Sequence, residues 1–163
     1  MSNQPIPAVQ LHPMSMGEYE IWRLESIESY AREKVAAGQF PAERALKMSE
    51  EAFNSLLPAG LGTPDQFLFS ARTPEQSSIV GFLWLNVRPA PDHSSYIFDI
   101  VVSPEFRGKG FGRAILTGAE DFARAKGAKS IGLNVFGHNQ IARSLYESSG
   151  YSVSSLNMRK SLT

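Results

Sequence analysis

Apolar and polar positions follow two different periods along the chain, and the places where the period changes mark out its elements. Residues 1–14 carry Pro5, Pro7 and Pro13 and read as a loosely tied opening arm with one short strand over residues 8–11. From Ser15 the period turns helical. Ser15 stands as a cap with Glu18 three residues on, and Tyr19, Trp22, Ile27 and Tyr30 recur on one face, which predicts a helix to about residue 37. Gly38 ends it. Pro41 opens a second helix in which Ala45, Ser49, Phe53 and Leu56 or Leu57 recur, and Pro58, Gly60 and Gly62 stop that one. Residues 66–72 and 79–87 predict two strands around a polar turn at 75–78, and residues 96–102, rich in β-branched and aromatic side chains, a third and buried one. The period is helical again over 111–126, where Phe111, Ile115, Ala119 and Phe122 share a face and Gly127 is the stop. Residues 130–135 read as a strand, 139–148 as a short helix closed by Gly150, and 151–158 as a final strand.

Strand, helix, strand, helix, strand after an antiparallel meander predicts an α/β fold with a central mixed sheet and helices on both faces. The crossover through 111–126 should place its flanking strands parallel. Neither a repeat nor a linker interrupts the pattern, so one domain over residues 1–163 is the expectation.

Composition narrows the chemistry. The 163 residues include 16 Lys and Arg against 16 Asp and Glu, and a net charge of zero gives no overall pull toward nucleic acid. Cysteine is absent, which removes disulfide scaffolds, thiolate nucleophiles and cysteine zinc sites. His12, His93 and His138 are far apart, so no metal site is expected. A basic start followed by an apolar stretch is missing, as is any run of about 18 apolar residues, so the expectation is no membrane partner and a cytoplasmic location.

Sheets of this kind hold ligands beyond the carboxyl ends of their strands. There the chain reads Val102, Ser103, Pro104, Glu105, Phe106, Arg107, Gly108, Lys109, Gly110, Phe111, Gly112. Three alternate glycines let the backbone turn tightly and leave amide hydrogens open at a helix start, with Arg107 and Lys109 to add charge. That combination suits a diphosphate. No Gly-Lys-Ser or Gly-Lys-Thr ends the loop, so it is not a nucleotide-triphosphate loop. The strand at 130–135 ends in Asn134 and Val135 rather than an acid, so it is not the dinucleotide fingerprint either.

The run Arg107-Gly-Lys-Gly110-Phe-Gly112 resembles the central signature of the GNAT family of acetyl-coenzyme A dependent N-acetyltransferases. The likeness extends through Ile97-Phe98-Asp99-Ile100-Val101-Val102 before it and Asn139-Gln-Ile-Ala142-Arg-Ser-Leu145-Tyr146-Glu-Ser-Ser-Gly150-Tyr151 after it. It covers residues 79–158. The first two helices match no motif of the family, and in the family that region helps shape the acceptor site.

The resemblance implies a bulged third strand that splays from the 130–135 strand and opens a wedge for pantetheine. The backbone of Ile100, Val101 and Val102 would pair with pantetheine amides. The turn formed by Arg107, Gly108, Lys109, Gly110, Phe111, Gly112 and Arg113 would receive the pyrophosphate. Asn139 would contact the cofactor as well as cap its helix, Ala142 would let that helix lie close, and Arg143 would reach the 3′-phosphate or remain solvated. Leu145 is expected in the core beside Ile141. Tyr146, two turns beyond Asn139, would protonate the departing thiolate, the alternative being a buried aromatic with no chemical duty.

The implied reaction is direct transfer of acetyl from acetyl-CoA to a primary amine on a small molecule or a peptide. Asp99 is the candidate base, with Glu105 or a water chain as alternatives. A bulge shifts the phase of the strand, so alternation leaves open which way Asp99 faces. Tyr19, Trp22, Tyr30 and Trp84 are either an acceptor wall or core aromatics, and Glu18, Glu20, Glu25 and Glu28 either attract a polycation or are solvated. A non-catalytic acyl-CoA sensor and a transferase of longer acyl groups are the rival functions. The edge left by the final strand makes a homodimer an option.

Overall fold

Ser15 and Glu18 form the reciprocal cap that their spacing implies. The Glu18 amide donates to Ser15 Oγ at 3.2 Å, and the Ser15 amide donates to Glu18 Oε2 at 2.8 Å, which starts helix α1 (Met16–Ala36). The computed structural model describes residues 5–75 and 78–163, so residues 1–4 of the opening arm and part of the expected polar turn at 75–78 lie outside the described residues. Pro41 starts a single 3₁₀ turn, Ala42–Arg44, rather than the helix itself, and α2 (Ala45–Leu56) follows from it. The two helices are joined in the interior where Ser49 Oγ donates to the Ile27 carbonyl at 2.7 Å.

Among the described residues five strands make one sheet in chain order: β1 (Gln10–Pro13), β2 (Gln66–Arg72), β3 (Ile79–Arg88), β4 (Ser94–Val102) and β5 (Ser130–Leu133). β1 begins two residues later than alternation implied, because its pairing with β2 runs from Gln10 opposite Arg72 to Pro13 opposite Phe69. β1 to β4 are antiparallel neighbours, while β4 and β5 are parallel, with α3 (Phe111–Ala125) as the crossover between them. The last helix is α4 (Gln140–Ser148), started by Asn139.

Each face of the sheet carries its own core. On one face Phe69, Val80, Leu83, Leu85, Ile97, Ile115, Leu116 and Ala119 are buried beneath α3, and Leu145 and Tyr146 of α4 pack against them. On the other, Tyr19 and Trp22 of α1 and Phe53 of α2 are buried against Leu68 and Trp84 of the sheet. The Trp22 ring lies 5.9 Å from Phe53 and 5.6 Å from Trp84, tilted or edge-on, as aromatic quadrupoles prefer. Tyr19, Trp22 and Trp84 are therefore core residues rather than an exposed wall, and Tyr30 is half-buried against Phe40 and Phe53.

Two expectations fail at the far edge of the sheet. β5 ends at Leu133, not at residue 135, and the final strand expected over 151–158 is absent. After Tyr151 the chain stays unpaired and exposed. A strand needs a neighbouring edge, and this segment is drawn to two points away from β5. Tyr151 Oη donates to Glu120 Oε1 on α3 at 3.1 Å, and the Arg159 guanidinium donates to the Gly38 carbonyl beyond α1.

Gly81 of β3 has no room for a side chain: a Cβ there would lie 2.1 Å from the Val101 carbonyl oxygen and 2.9 Å from Ile115 Cδ1. Gly81→Ala should lower stability in urea denaturation by about 2–3 kcal/mol. Gly17→Ala, in open space on the first turn of α1, should gain up to about 1 kcal/mol. A Gly81→Ala protein as stable as its parent would show that β3 and β4 are not held as tightly as the contact implies.

Candidate active site

β4 and β5 run side by side only from Ser94 opposite Ser130 to Ile97 opposite Leu133. Beyond that pair β4 continues to Val102 on β3, whereas β5 has ended and the chain turns away through residues 134–138 into α4. The outer edge of Ile100, Val101 and Val102 therefore has no strand beside it among the described residues. The divergence begins at a bulge. Trp84 pairs with Asp99 and Leu85 with Ile97, leaving Phe98 as the extra residue.

The bulge decides the question that alternation left open. Asp99 turns toward α1, where Trp22 Nε1–H and Ser26 Oγ–H both donate to its Oδ2, at 3.0 and 2.9 Å. Burial raises the Asp99 carboxyl above the usual range, and these two donors offset only part of that rise. The hold of Trp22 and Ser26 on Asp99 was missed in the sequence. Their spacing of four on a helix was the available signal, since an indole N–H and a hydroxyl on one buried face need an acceptor. Phe98, stacked on Trp84 at 4.5 Å, and Tyr96, 4.9 Å from Phe98, line the same side and were also missed.

The junction after β4 starts with the 3₁₀ turn Pro104–Phe106, tied back where the Ser103 amide donates to the Val80 carbonyl at 2.9 Å. Gly108 and Gly110 have φ of 71° and 86°, the left-handed region, and Gly110 begins α3 with no side-chain cap. Among the described residues the main-chain N–H groups of Gly108, Lys109, Gly110, Phe111, Gly112 and Arg113 have no protein acceptor. Six open donors thus meet the positive end of a 15-residue helix.

The third glycine has a different task. A Cβ on Gly112 would lie 3.3 Å from Leu145 Cδ2, so its absence lets α4 approach α3. Arg107 Nε donates to the Val102 carbonyl at 3.1 Å and Lys109 Nζ to the Glu105 carbonyl at 2.8 Å, which holds both cations beside the turn. Phe111 packs on Phe106 at 5.4 Å. Arg113 donates to Ser149 Oγ at 3.0 Å and Ser148 Oγ at 2.6 Å, joining the start of α3 to the end of α4. Pro7 of the opening arm passes over this turn, 3.0 Å from where a Gly110 Cβ would stand.

On α4, Asn139 Oδ1 accepts from the Ala142 amide at 3.1 Å, so its capping role is present. Ala142 and Tyr146 are half-buried, while Ile141, expected in the core with Leu145, is exposed. Arg143 donates to Glu147 Oε1 at 3.3 Å along its own helix. Burial raises the Tyr146 phenol above its ordinary value, and the Asp99 charge raises it further, which puts the two groups within electrostatic reach across the splay. Glu105 is exposed at the glycine-rich turn. His138 pairs with Glu33 at 2.5 Å, and Glu18 is engaged by its cap and by Arg72. Among the described residues no group of three potential metal ligands occurs, and no helix is long and apolar enough to cross a membrane.

A parallel strand pair that opens beside a turn of free amides, with a tyrosine on the following helix, fits the acyl-coenzyme A site that the resemblance implies. Residues 19–151 match the acetyltransferase (GNAT) family profile, and the chain belongs to that family. YycN of Bacillus subtilis, an uncharacterized N-acetyltransferase by name, is 37% identical over 94% of this chain and 99% of its own length. YdgE of the same organism, similarly named, is 31% identical over 95% of this chain and 99% of its own. A crystal structure of YycN superposes with a TM-score of 0.91 at 36% identity, over 96% of this chain and 99% of that one. The protein is thus an acetyl-coenzyme A dependent N-acetyltransferase with the GNAT fold. The unsatisfied amides around two left-handed glycines fit the coenzyme's diphosphate.

The raised Asp99 carboxyl carries a pH signature. Its folded state holds the proton more tightly than the unfolded chain, so the stability it contributes is full below 3.8, its ordinary value, and is lost as pH rises through the raised folded value. Asp99→Asn keeps an acceptor for Trp22 and Ser26 but cannot ionise. Melting temperatures of parent and variant should diverge in the variant's favour as pH rises from 4, and a difference that stays flat with pH would mean that Asp99 ionises without penalty.

Proposed function

We propose that the enzyme acetylates a primary amine, on a small molecule or a peptide, in a ternary complex, with Tyr146 as general acid and Asp99 as general base. The observation that carries this reading is the splay beyond Ile97 and Leu133, flanked by open amides on one side and by Asp99 and Tyr146 within electrostatic reach of each other. Acetyl-coenzyme A, when bound, supplies an activated thioester. The amides of Gly108, Gly110, Gly112 and Arg113 hold its diphosphate, and Arg107 and Lys109 add positive charge beside them. The free edge of Ile100, Val101 and Val102 takes the extended arm by main-chain pairing, which needs no particular side chain. An N–H of that edge at Val101 or Val102 steadies the charge that develops on the carbonyl oxygen. Asn139 and Ala142 shape the wall on the α4 side, and Arg143 borders it.

Tyr146 keeps its proton at neutral pH because both burial and the Asp99 charge favour the neutral phenol, so it has a proton to give to the thiolate. Asp99 uses Oδ2 to hold Trp22 and Ser26, which leaves Oδ1 to take the amine's proton directly or through one water. Its raised affinity for a proton makes it a better base than a solvated carboxylate.

Thiol release from acetyl-coenzyme A over a panel of primary amines, with mass spectrometry of the product, tests the reading and identifies the acceptor. Tyr146→Phe should lower kcat by about 10²-fold or more with the affinity for acetyl-coenzyme A unchanged, and equal turnover at every pH would remove Tyr146 as the acid. Gly110→Ala puts a side chain on a left-handed residue and should weaken acetyl-coenzyme A binding about tenfold by calorimetry, or about 1.4 kcal/mol. Unaltered binding would move the diphosphate elsewhere.

A further inference from the structure

Trp22 and Ser26, which hold Asp99, begin a stripe that continues along α1 at intervals of four through Tyr30 to Lys34. At its start the stripe is buried against Leu68 and Trp84 in the middle of the sheet. At its end Lys34 reaches Phe136, in the turn of residues 134–138 that leaves β5 at the mouth of the splay. Tyr96 and Phe98 of β4 flank the stretch between, and the Tyr96 phenol lies within electrostatic reach of Tyr30. With the coenzyme's diphosphate on the α3 side, an amine reaches the thioester from the α1 face, where Asp99 points. The rest of the acceptor then lies along this stripe.

Lys34 closes the stripe with a cation that is ordered but not neutralised. Its Nζ lies 5.2 Å from the centre of the Tyr30 ring, 5.5 Å from Phe40 and 5.8 Å from Phe136, and donates to Gln39 Oε1 at 2.7 Å. An ammonium has three hydrogens, and Gln39 is the one hydrogen-bond acceptor that meets them among the described residues. Among the same residues Lys34 joins no ion pair, and the adjoining carboxylate of Glu33 is engaged by His138. The negative pole of α1 is closed as well. The carbonyls of Glu33, Lys34 and Val35 accept from the amides of Ala37, of Gln39 and Phe40, and of Gly38, and the Arg159 guanidinium adds a second cation at the Gly38 carbonyl.

We infer that the acceptor is a primary amine that carries a carboxylate about one tripeptide length from its nitrogen, and that Lys34 is the counter-ion of that carboxylate. The proposal rests on the catalytic reading, because Asp99 sets where the nitrogen goes. Ser26 and Lys34 are about 12 Å apart along the axis of α1, at about 1.5 Å per residue. An extended peptide covers that span in roughly three to four residues at about 3.3–3.6 Å each. The middle of such a peptide lies against Tyr30, Tyr96 and Phe98, which are half-buried and offer ring surface to an apolar side chain. A carboxylate suits the subsite better than a phosphate, because the nearby Glu33 would repel a dianion more strongly. A polycation does not suit it. The second positive group would meet Lys34, while Glu18 is taken by its cap and Glu20, Glu25 and Glu28 are exposed and lie off the stripe.

The tripeptide Ala-Phe-Ala tests this as the free acid, as its terminal amide, and as an ethylenediamine amide that ends in an ammonium. The three differ in charge at one end only. With acetyl-coenzyme A saturating, KM for the free acid should be about tenfold below that for the amide, and KM for the ammonium form the highest. The difference should sit in KM rather than kcat, because the contact is the same before and during the chemical step. Lys34→Met should raise KM for the free acid to that of the amide, Lys34→Arg should keep the preference, and Lys34→Glu should turn it toward the ammonium form. Asp99→Asn should instead lower kcat for all three alike, so a failed base and a failed subsite leave different patterns. Calorimetry with the N-acetylated peptides reads the subsite without turnover: the acetylated acid should bind about tenfold more tightly than its amide, and equally in Lys34→Met. Equal KM for acid and amide, a preference that survives Lys34→Met, or an acetylated acid that binds no better than its amide would each overturn the assignment.

Discussion

Main-chain polar groups must find partners, and the architecture around the site follows from one strand that runs on after its neighbour has stopped. β4 continues past Ile97 while β5 ends at Leu133, so the outer edge of β4 is left for something other than this sheet to satisfy. A bare edge would be free to drift toward its neighbour. The bulge at Phe98 prevents that by turning Asp99 to the α1 face, where two donors hold its carboxylate. The divergence is thus built into the protein before any ligand arrives. In the proposed binding mode pantetheine amides would meet an edge that is already open, so little ordering of the protein would oppose binding.

The two layers divide the work. The α1 and α2 layer supplies no motif of its own, yet it orients Asp99 through Trp22 and Ser26, and Trp22 is itself fixed between Phe53 and Trp84. The α3 and α4 layer supplies the open amides and Tyr146, joined by Arg113 and by the close approach that Gly112 permits. Across the splay the electrostatics run in one sense. Asp99 gains proton affinity from burial, and its charge in turn raises the phenol of Tyr146. In the proposed mechanism these are the properties that a base at Asp99 and an acid at Tyr146 would need at opposite ends of one acyl transfer.

Much of this was legible along the chain, for reasons that differ by element. β2 was bounded by Pro64 and Pro74, α1 by a reciprocal cap and a glycine, and α3 by glycines at both ends, and these local signals placed their limits within a residue or two. The glycine-rich turn was legible because φ above zero favours glycine, and Gly108 and Gly110 both adopt it. The direction of Asp99 was hidden because a bulge is a property of the pair of strands, not of either one. Tyr19, Trp22 and Trp84 were ambiguous because an aromatic stripe has one appearance in sequence whether it lines a core or a groove. The segment 151–158 has strand composition but no strand, since pairing is decided by what lies beside it. Ile141 was misassigned for a related reason: the apolar face of α4 is wider than the surface that α3 and the sheet offer it.

The shortness of β5 leaves the outer edge of β4 open beyond Ile97. Had β5 run on beside β4, the wedge would be closed by main-chain hydrogen bonds and no extended ligand could enter it. Because it stops after four residues, only the pairs from Ser94–Ser130 to Ile97–Leu133 set its direction relative to β4. A four-residue strand paired on one side is a weak lever against the forces that would twist it. The splay is consequently set by where β5 stops, four residues after it starts.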